Sequence, residues 1–197
     1  MRVLLLVVWL LVPVGAVAYH YGPGQSKLKL DQVSELIRNA NQLSETKDWT
    51  AAQKEFEKAL GLLPDDQTEM RRELRLEICK IQVENKQLPT AREDLSSLVS
   101  EVEADSNCNP QFVADARSAL ASSQYYMTWL MRLEGQPREK WEPEIDAAQQ
   151  NYRLLAEQAN NNGDQPTLKI RQEDLESAVR LARMDLGELQ GLPLPSQ

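Results

Sequence analysis

The sequence predicts an all-α chain of antiparallel helix hairpins, about seven helices in 197 residues. Three observations predict it. Leu, Ala, Glu, Gln and Arg, which form helix readily, are plentiful, while Gly numbers 8 and aromatic content is 6%. No run of alternating β-branched residues follows the first segment, so no strand is expected. One spacing also recurs three times: small-x₃-large-x₂-apolar. It is carried by Ala52, Phe56 and Ala59, by Ala91, Leu95 and Leu98, and by Ala148, Tyr152 and Leu155. Steps of four and three return to one helical face, so each copy marks a packing stripe.

The chain begins with Met1-Arg2 and an apolar run from Val3 to Ala18, broken late by Pro13 and Gly15. A short positive start, an apolar core and the small-x-small end Ala16-Val17-Ala18 make the pattern of a secretory signal peptide cleaved after Ala18. The competing reading is an uncleaved anchor over residues 3–18, a little short for the ~30 Å hydrocarbon layer. Either way the body is expected to be exported, periplasmic or envelope-associated. Residues 19–30 read as a flexible leader around Gly22-Pro23-Gly24, and the only histidine, His20, as a solvated side chain in it.

The helical domain is expected over residues 31–190. Asp31 suits the N-cap of a first helix, with Val33, Leu36, Ile37, Ala40 and Leu43 at helical spacing to about Glu45. Thr46-Lys47-Asp48 is the turn, and Asp48 caps a second helix that ends at Leu63, before Pro64. A third helix runs from about Thr68 to Glu84 with Leu74, Leu76, Ile78, Cys79, Ile81 and Val83 as its apolar side. Asn85-Lys86-Gln87 turns the chain into a fourth helix opened by Leu88-Pro89. Asn109-Pro110 caps a fifth helix that runs to Leu133 or Glu134. Phe112, Ala116, Ala119, Tyr126, Leu130 and Leu133 are its expected core stripe, widened by Ala121, Tyr125, Thr128 and Trp129. Gly135-Gln136-Pro137 ends it. Trp141, Ile145, Ala148, Tyr152 and Leu155 mark a sixth helix that stops near Asn160 to Gly163. A last helix is expected from about Pro166 to Leu189, its outer side carrying Lys169, Arg171, Glu173, Asp174, Glu176 and Arg180. Residues 191–197 form a proline-containing tail.

The first hairpin, with Ala52-x₃-Phe56-x₂-Ala59 and the closing Pro64, resembles a tetratricopeptide repeat. Its first helix departs from the family pattern, with Leu36 and Asn39-Ala40 where Trp and Leu-Gly are usual. Ala91 follows Ala52 by 39 residues rather than the family's 34. The resemblance implies a right-handed solenoid whose last helix closes the exposed end, and a groove lined by the first helix of each hairpin. Asn41, Lys80, Tyr125, Tyr126 and Trp129 are the expected partner-facing residues, with core packing as the plainer account of the aromatics. The carboxylate clamp of some family members is not supported, because Ile37 and Glu77 stand where Lys and Asn are needed.

A net charge of −8, from 22 basic and 30 acidic residues, argues against nucleic acid as a ligand. Cys79 reads as buried filler and Cys108 as a loop residue, with a disulfide between them the lesser expectation. No phosphate-binding glycine loop, G-x-S-x-G, H-E-x-x-H or EF-hand sequence is present, and no catalytic, cofactor or metal site is expected. The expected function is therefore a non-enzymatic adaptor of the bacterial cell envelope that binds a protein or peptide in its helical groove. The alternative is a structural subunit of an envelope assembly. Membrane contact is expected only through residues 3–18, if they are retained.

Overall fold

The computed structural model describes residues 23–185 and 187–189. The expected signal peptide or anchor, the start of the leader and the tail lie outside them. Among the described residues there are seven helices and no strand: α1 (Pro23–Glu45), α2 (Trp49–Leu62), α3 (Thr68–Glu84), α4 (Leu88–Ala104), α5 (Pro110–Leu133), α6 (Arg138–Asn161) and α7 (Gln165–Arg183). None of these helices is long and apolar enough to cross a membrane. The chain divides within α3 into two compact units, residues 1–78 and 79–197.

Four of the helix junctions share one geometry. Lys47 and Lys86 both take a left-handed φ of 61°, and Gly135 and Gly163 take 68° and 71°. Each donates its N–H to the carbonyl three residues back, and the next residue donates to the carbonyl five back. The first pair is Lys47 to Ser44 and Asp48 to Leu43, both 2.9 Å. The others run Lys86 to Val83 and Gln87 to Gln82, Gly135 to Arg132 and Gln136 to Met131, and Gly163 to Asn160 and Asp164 to Ala159. This Schellman pairing satisfies carbonyls that the helix end leaves without partners. Asp48 and Asp164 then serve at once as N-caps, accepting from the N–H of Ala51 and of Thr167 at 3.1 Å. These turns of three or four residues join α1 to α2, α3 to α4, α5 to α6 and α6 to α7, and the first, third and fourth of these pairs pack on each other as hairpins.

In the first unit α1 packs on α2. Val33 and Ala40 of α1 and Ala52, Phe56 and Ala59 of α2 are buried, as the spacing predicts. Leu63 turns to extended backbone (ψ 128°) before Pro64, and α2 ends there. The Arg71 guanidinium caps that end, donating to the Leu63 carbonyl at 3.0 Å and pairing with Asp65 at 3.0 Å. The first helix begins at Pro23, eight residues before the expected Asp31. Pro is at home in the first helical turn, where it has no hydrogen bond to lose, so Pro23 opens a helix within the expected leader. The added turns carry exposed side chains at residues 27–29.

In the second unit α4 packs on α5, α5 on α6 and α6 on α7. Gln82 of α3 donates to the Asp94 carboxylate of α4 at 3.2 Å. Arg92 of α4 grips Glu144 of α6 with two bonds, 3.0 and 2.6 Å. The core joins α5, α6 and α7 through Ala121, Tyr125, Ile145, Ala148, Tyr152, Leu155, Ala178 and Leu181. Cys79 is buried and Cys108 partly so, and no disulfide joins them.

Two expectations for α7 are corrected. The helix stops at Arg183, because Met184 adopts extended backbone (ψ 154°); it does not run to Leu189. Leu189 folds back into the core instead, 1% exposed. Asp174, expected on the outer side, is buried. There it pairs with Arg171 at 3.3 Å, while Arg171 also donates to the Ser118 hydroxyl of α5 at 2.8 Å. Burying a carboxylate is tolerable only with such a charged partner.

Candidate partner-binding surface

Helix α5 positions the surface. Asn109 caps it, accepting from the Gln111 N–H at 2.9 Å, and Pro110 opens it. Its buried residues are Ala116, Leu120, Ala121, Ser123, Gln124, Tyr125, Thr128 and Arg132. At about 100° per residue these cover more than half the circumference of the helix. Lying between α4 and α6 leaves one arc facing outward. That arc carries Ala119, Tyr126, Leu130 and Leu133, with Trp129 at its edge. Leu130 is 39% and Leu133 41% exposed, while Tyr126 and Trp129 are half-buried against the core.

The stripe expected to be core is thus displaced. Ala116 goes inward and Tyr126 packs part-buried against the core, but Leu130 and Leu133 are exposed. The physical reason is that α5 is apolar nearly all round, so its own periodicity does not choose a side. The buried arc is instead marked by small and hydrogen-bonded residues that fit between neighbours. Ser123 and Thr128 return their hydroxyls to the Leu120 and Gln124 carbonyls, at 2.7 and 2.9 Å. Gln124 accepts from Asn151 of α6 at 3.0 Å.

Of the expected partner-facing residues, Asn41 lies exposed on α1 in the first unit. Lys80, Tyr125, Tyr126 and Trp129 belong to the second unit, and Lys80 is exposed. Tyr125 is corrected: it is 0% exposed and packs in the core. Its ring meets Tyr126 edge-on, with centroids 5.9 Å apart. Only Tyr126 and Trp129 of the set therefore share one surface with access to a partner. Leu130 and Leu133, which complete it, were legible only as core residues. A signal was present in their spacing, since 126, 130 and 133 are one face.

Burial shapes the titration of the two core tyrosines. It pushes the Tyr125 hydroxyl above its ordinary value, with Tyr126 adding to the rise and Arg180 opposing it. Burial raises Tyr152 more strongly, against the lowering effect of its hydrogen bond with Ser122 at 3.2 Å. Among the described residues no group of three His, Cys, Asp or Glu side chains is placed to hold a metal.

Each unit also carries a depression. A shallow groove of about 590 Å³ follows the outer side of α7, with Leu175, Val179 and Met184 as floor and Glu176, Arg180, Arg183 and Glu188 as rim. A second, about 480 Å³, lies in the first unit beside Asn39, Gln42, Leu43, Thr46 and Glu55. Comparison with known proteins finds no matching family model, no matching curated protein and no matching solved structure.

Proposed function

We propose that this chain is a non-enzymatic, tetratricopeptide-like adaptor that is exported to the cell envelope and binds another protein through the outward arc of α5. The observation that carries the reading is the continuous apolar strip of Tyr126, Leu130 and Leu133 beside Trp129. Side chains of this kind are costly to leave in water, and a contiguous run of them marks a contact surface more often than scattered ones do. Tyr and Trp anchored in a core lose little freedom on binding, which is why they concentrate affinity at interfaces. The four Schellman-capped junctions support the hairpin part of the reading, and the sequence of residues 1–18 supports export.

The test is site-directed. The full chain and a Leu130→Glu, Leu133→Glu double variant are used to capture partners from envelope extract, with helicity and urea unfolding checked for both. Both sites are exposed, so the fold is expected to survive while capture falls ten-fold or more. Capture that the double variant does not change would refute binding at α5. Self-association alone, or constant stoichiometry with one large complex, would favour a structural subunit.

A further inference from the structure

We infer that Asn162 is a self-modification site, whose side-chain amide is lost to the backbone only when the α6–α7 turn opens. Of the nine asparagines, Asn162 alone is followed by glycine. It is exposed, so water reaches it. The chemistry is intramolecular deamidation. The Gly163 nitrogen loses its proton to water and attacks the Asn162 side-chain carbon, Cγ. The bond from the Gly163 nitrogen to Cγ forms, the Cγ–Nδ2 bond breaks, and Nδ2 leaves as ammonia with a proton taken from water. A five-membered imide ring remains. Water then adds to one of its two carbonyls and opens the ring. The product is aspartate or, with the main chain routed through Cβ, isoaspartate. Glycine favours the attack because it has no side chain to crowd its nitrogen.

The folded turn holds the reacting atoms apart. Asn162 caps the end of α6 with φ −81° and ψ −7°. At that ψ the Gly163 nitrogen is nearly eclipsed with the backbone nitrogen of Asn162 itself. Ring closure needs it nearly eclipsed with Cβ instead, so ψ has to leave the helical region. Two hydrogen bonds oppose that rotation: Gly163 N–H to the Asn160 carbonyl at 3.1 Å and Asp164 N–H to the Ala159 carbonyl at 3.0 Å. Beyond them Asp164 accepts from the Thr167 N–H, and Ala178 and Leu181 hold α7 in the core. The turn therefore cannot rotate without displacing the start of α7. Such local openings lie below global unfolding in free energy, and the rate in the folded chain follows the fraction that is open. The product does not refit. Isoaspartate lengthens the main chain by a carbon, and either product puts negative charge at the already negative C-terminal end of α6.

Incubation of the full chain at mildly alkaline pH, folded and in unfolding urea, tests this. Conversion at each asparagine is read by peptide mass spectrometry, with isoaspartate separated from aspartate. In urea Asn162 is expected to convert at least ten-fold faster than any other asparagine. In the folded chain its conversion is expected to be at least ten-fold slower than in urea. Asp164→Ala removes the cap that fixes the turn to α7, and it is expected to raise the folded rate several-fold with the rate in urea unchanged. Another asparagine converting first in urea overturns the assignment of the site. Equal rates at Asn162 in the two conditions overturn its control by the turn, without recourse to any variant. A folded rate that Asp164→Ala leaves unchanged overturns that control too.

Discussion

Phe56 is the residue on which the first unit's packing is most exposed to test. It is 2% exposed, between Ala52 and Ala59, which are wholly buried on the same face of α2. The two alanines let a neighbouring backbone approach, and the ring fills the space that remains. Phe56→Ala is expected to cost about 3–5 kcal/mol in urea unfolding, since it loses both the transfer energy of the ring and the packing around it. A loss below about 1 kcal/mol would mean that the ring is not buried on this face. Other single residues show how far a side chain's neighbours decide its role. Tyr125 and Tyr126 are adjacent and chemically identical, yet one is core and the other faces the outward arc of α5. Asp174 has the composition of a surface residue but is buried, because Arg171 reaches it.

At the scale of the element, helix limits follow from local chemistry. α3 spans Thr68–Glu84 and α5 spans Pro110–Leu133, both as the sequence predicts. Caps, prolines and turn residues act within four positions, so a reader of the sequence sees all the atoms involved. The hairpin turns show a finer point. Two use Gly at the left-handed position, and two use Lys, which meets steric cost there. Lys86→Gly is expected to recover about 1–2 kcal/mol of left-handed strain. It gives back about 0.4–1 kcal/mol through a looser unfolded chain. The net expectation is stabilisation by up to about 1.6 kcal/mol, with Gly163→Ala of opposite sign and similar size. Urea midpoints of the two variants check it. Equal signs would mean that the turns do not share the geometry described.

At the scale of the whole molecule, stability responds to alkaline pH through its buried tyrosines. Both Tyr125 and Tyr152 have folded-state values raised above the unfolded one, burial being the larger cause in each. A raised value means that stability is fully present below the unfolded pKa, about 10, and is lost as pH rises past it. The urea midpoint is expected to fall above about pH 10. Tyr152→Phe is expected to fall less steeply there, after losing about 1 kcal/mol at neutral pH with the Ser122 hydrogen bond. Identical pH profiles for the two proteins would show that Tyr152 ionises in the folded state at no cost.

The sequence by itself determined the helical class, the limits of α2, α3 and α5 and the residues of the three packing stripes, because each rests on contacts within one or two turns. It did not determine which side of α5 faces outward. Apolar residues surround that helix, and only the positions of α4, α6 and α7 select the arc left open. Nor did it place Leu189, whose burial depends on a space that exists only once three helices have met. Nor did it show that Arg132 would tie α5 to the end of α7, since its partners, the carbonyls of Leu181 and Met184, lie about fifty residues further along the chain. Local rules ended each helix where its own neighbours dictated, and tertiary packing decided which faces remained for a partner.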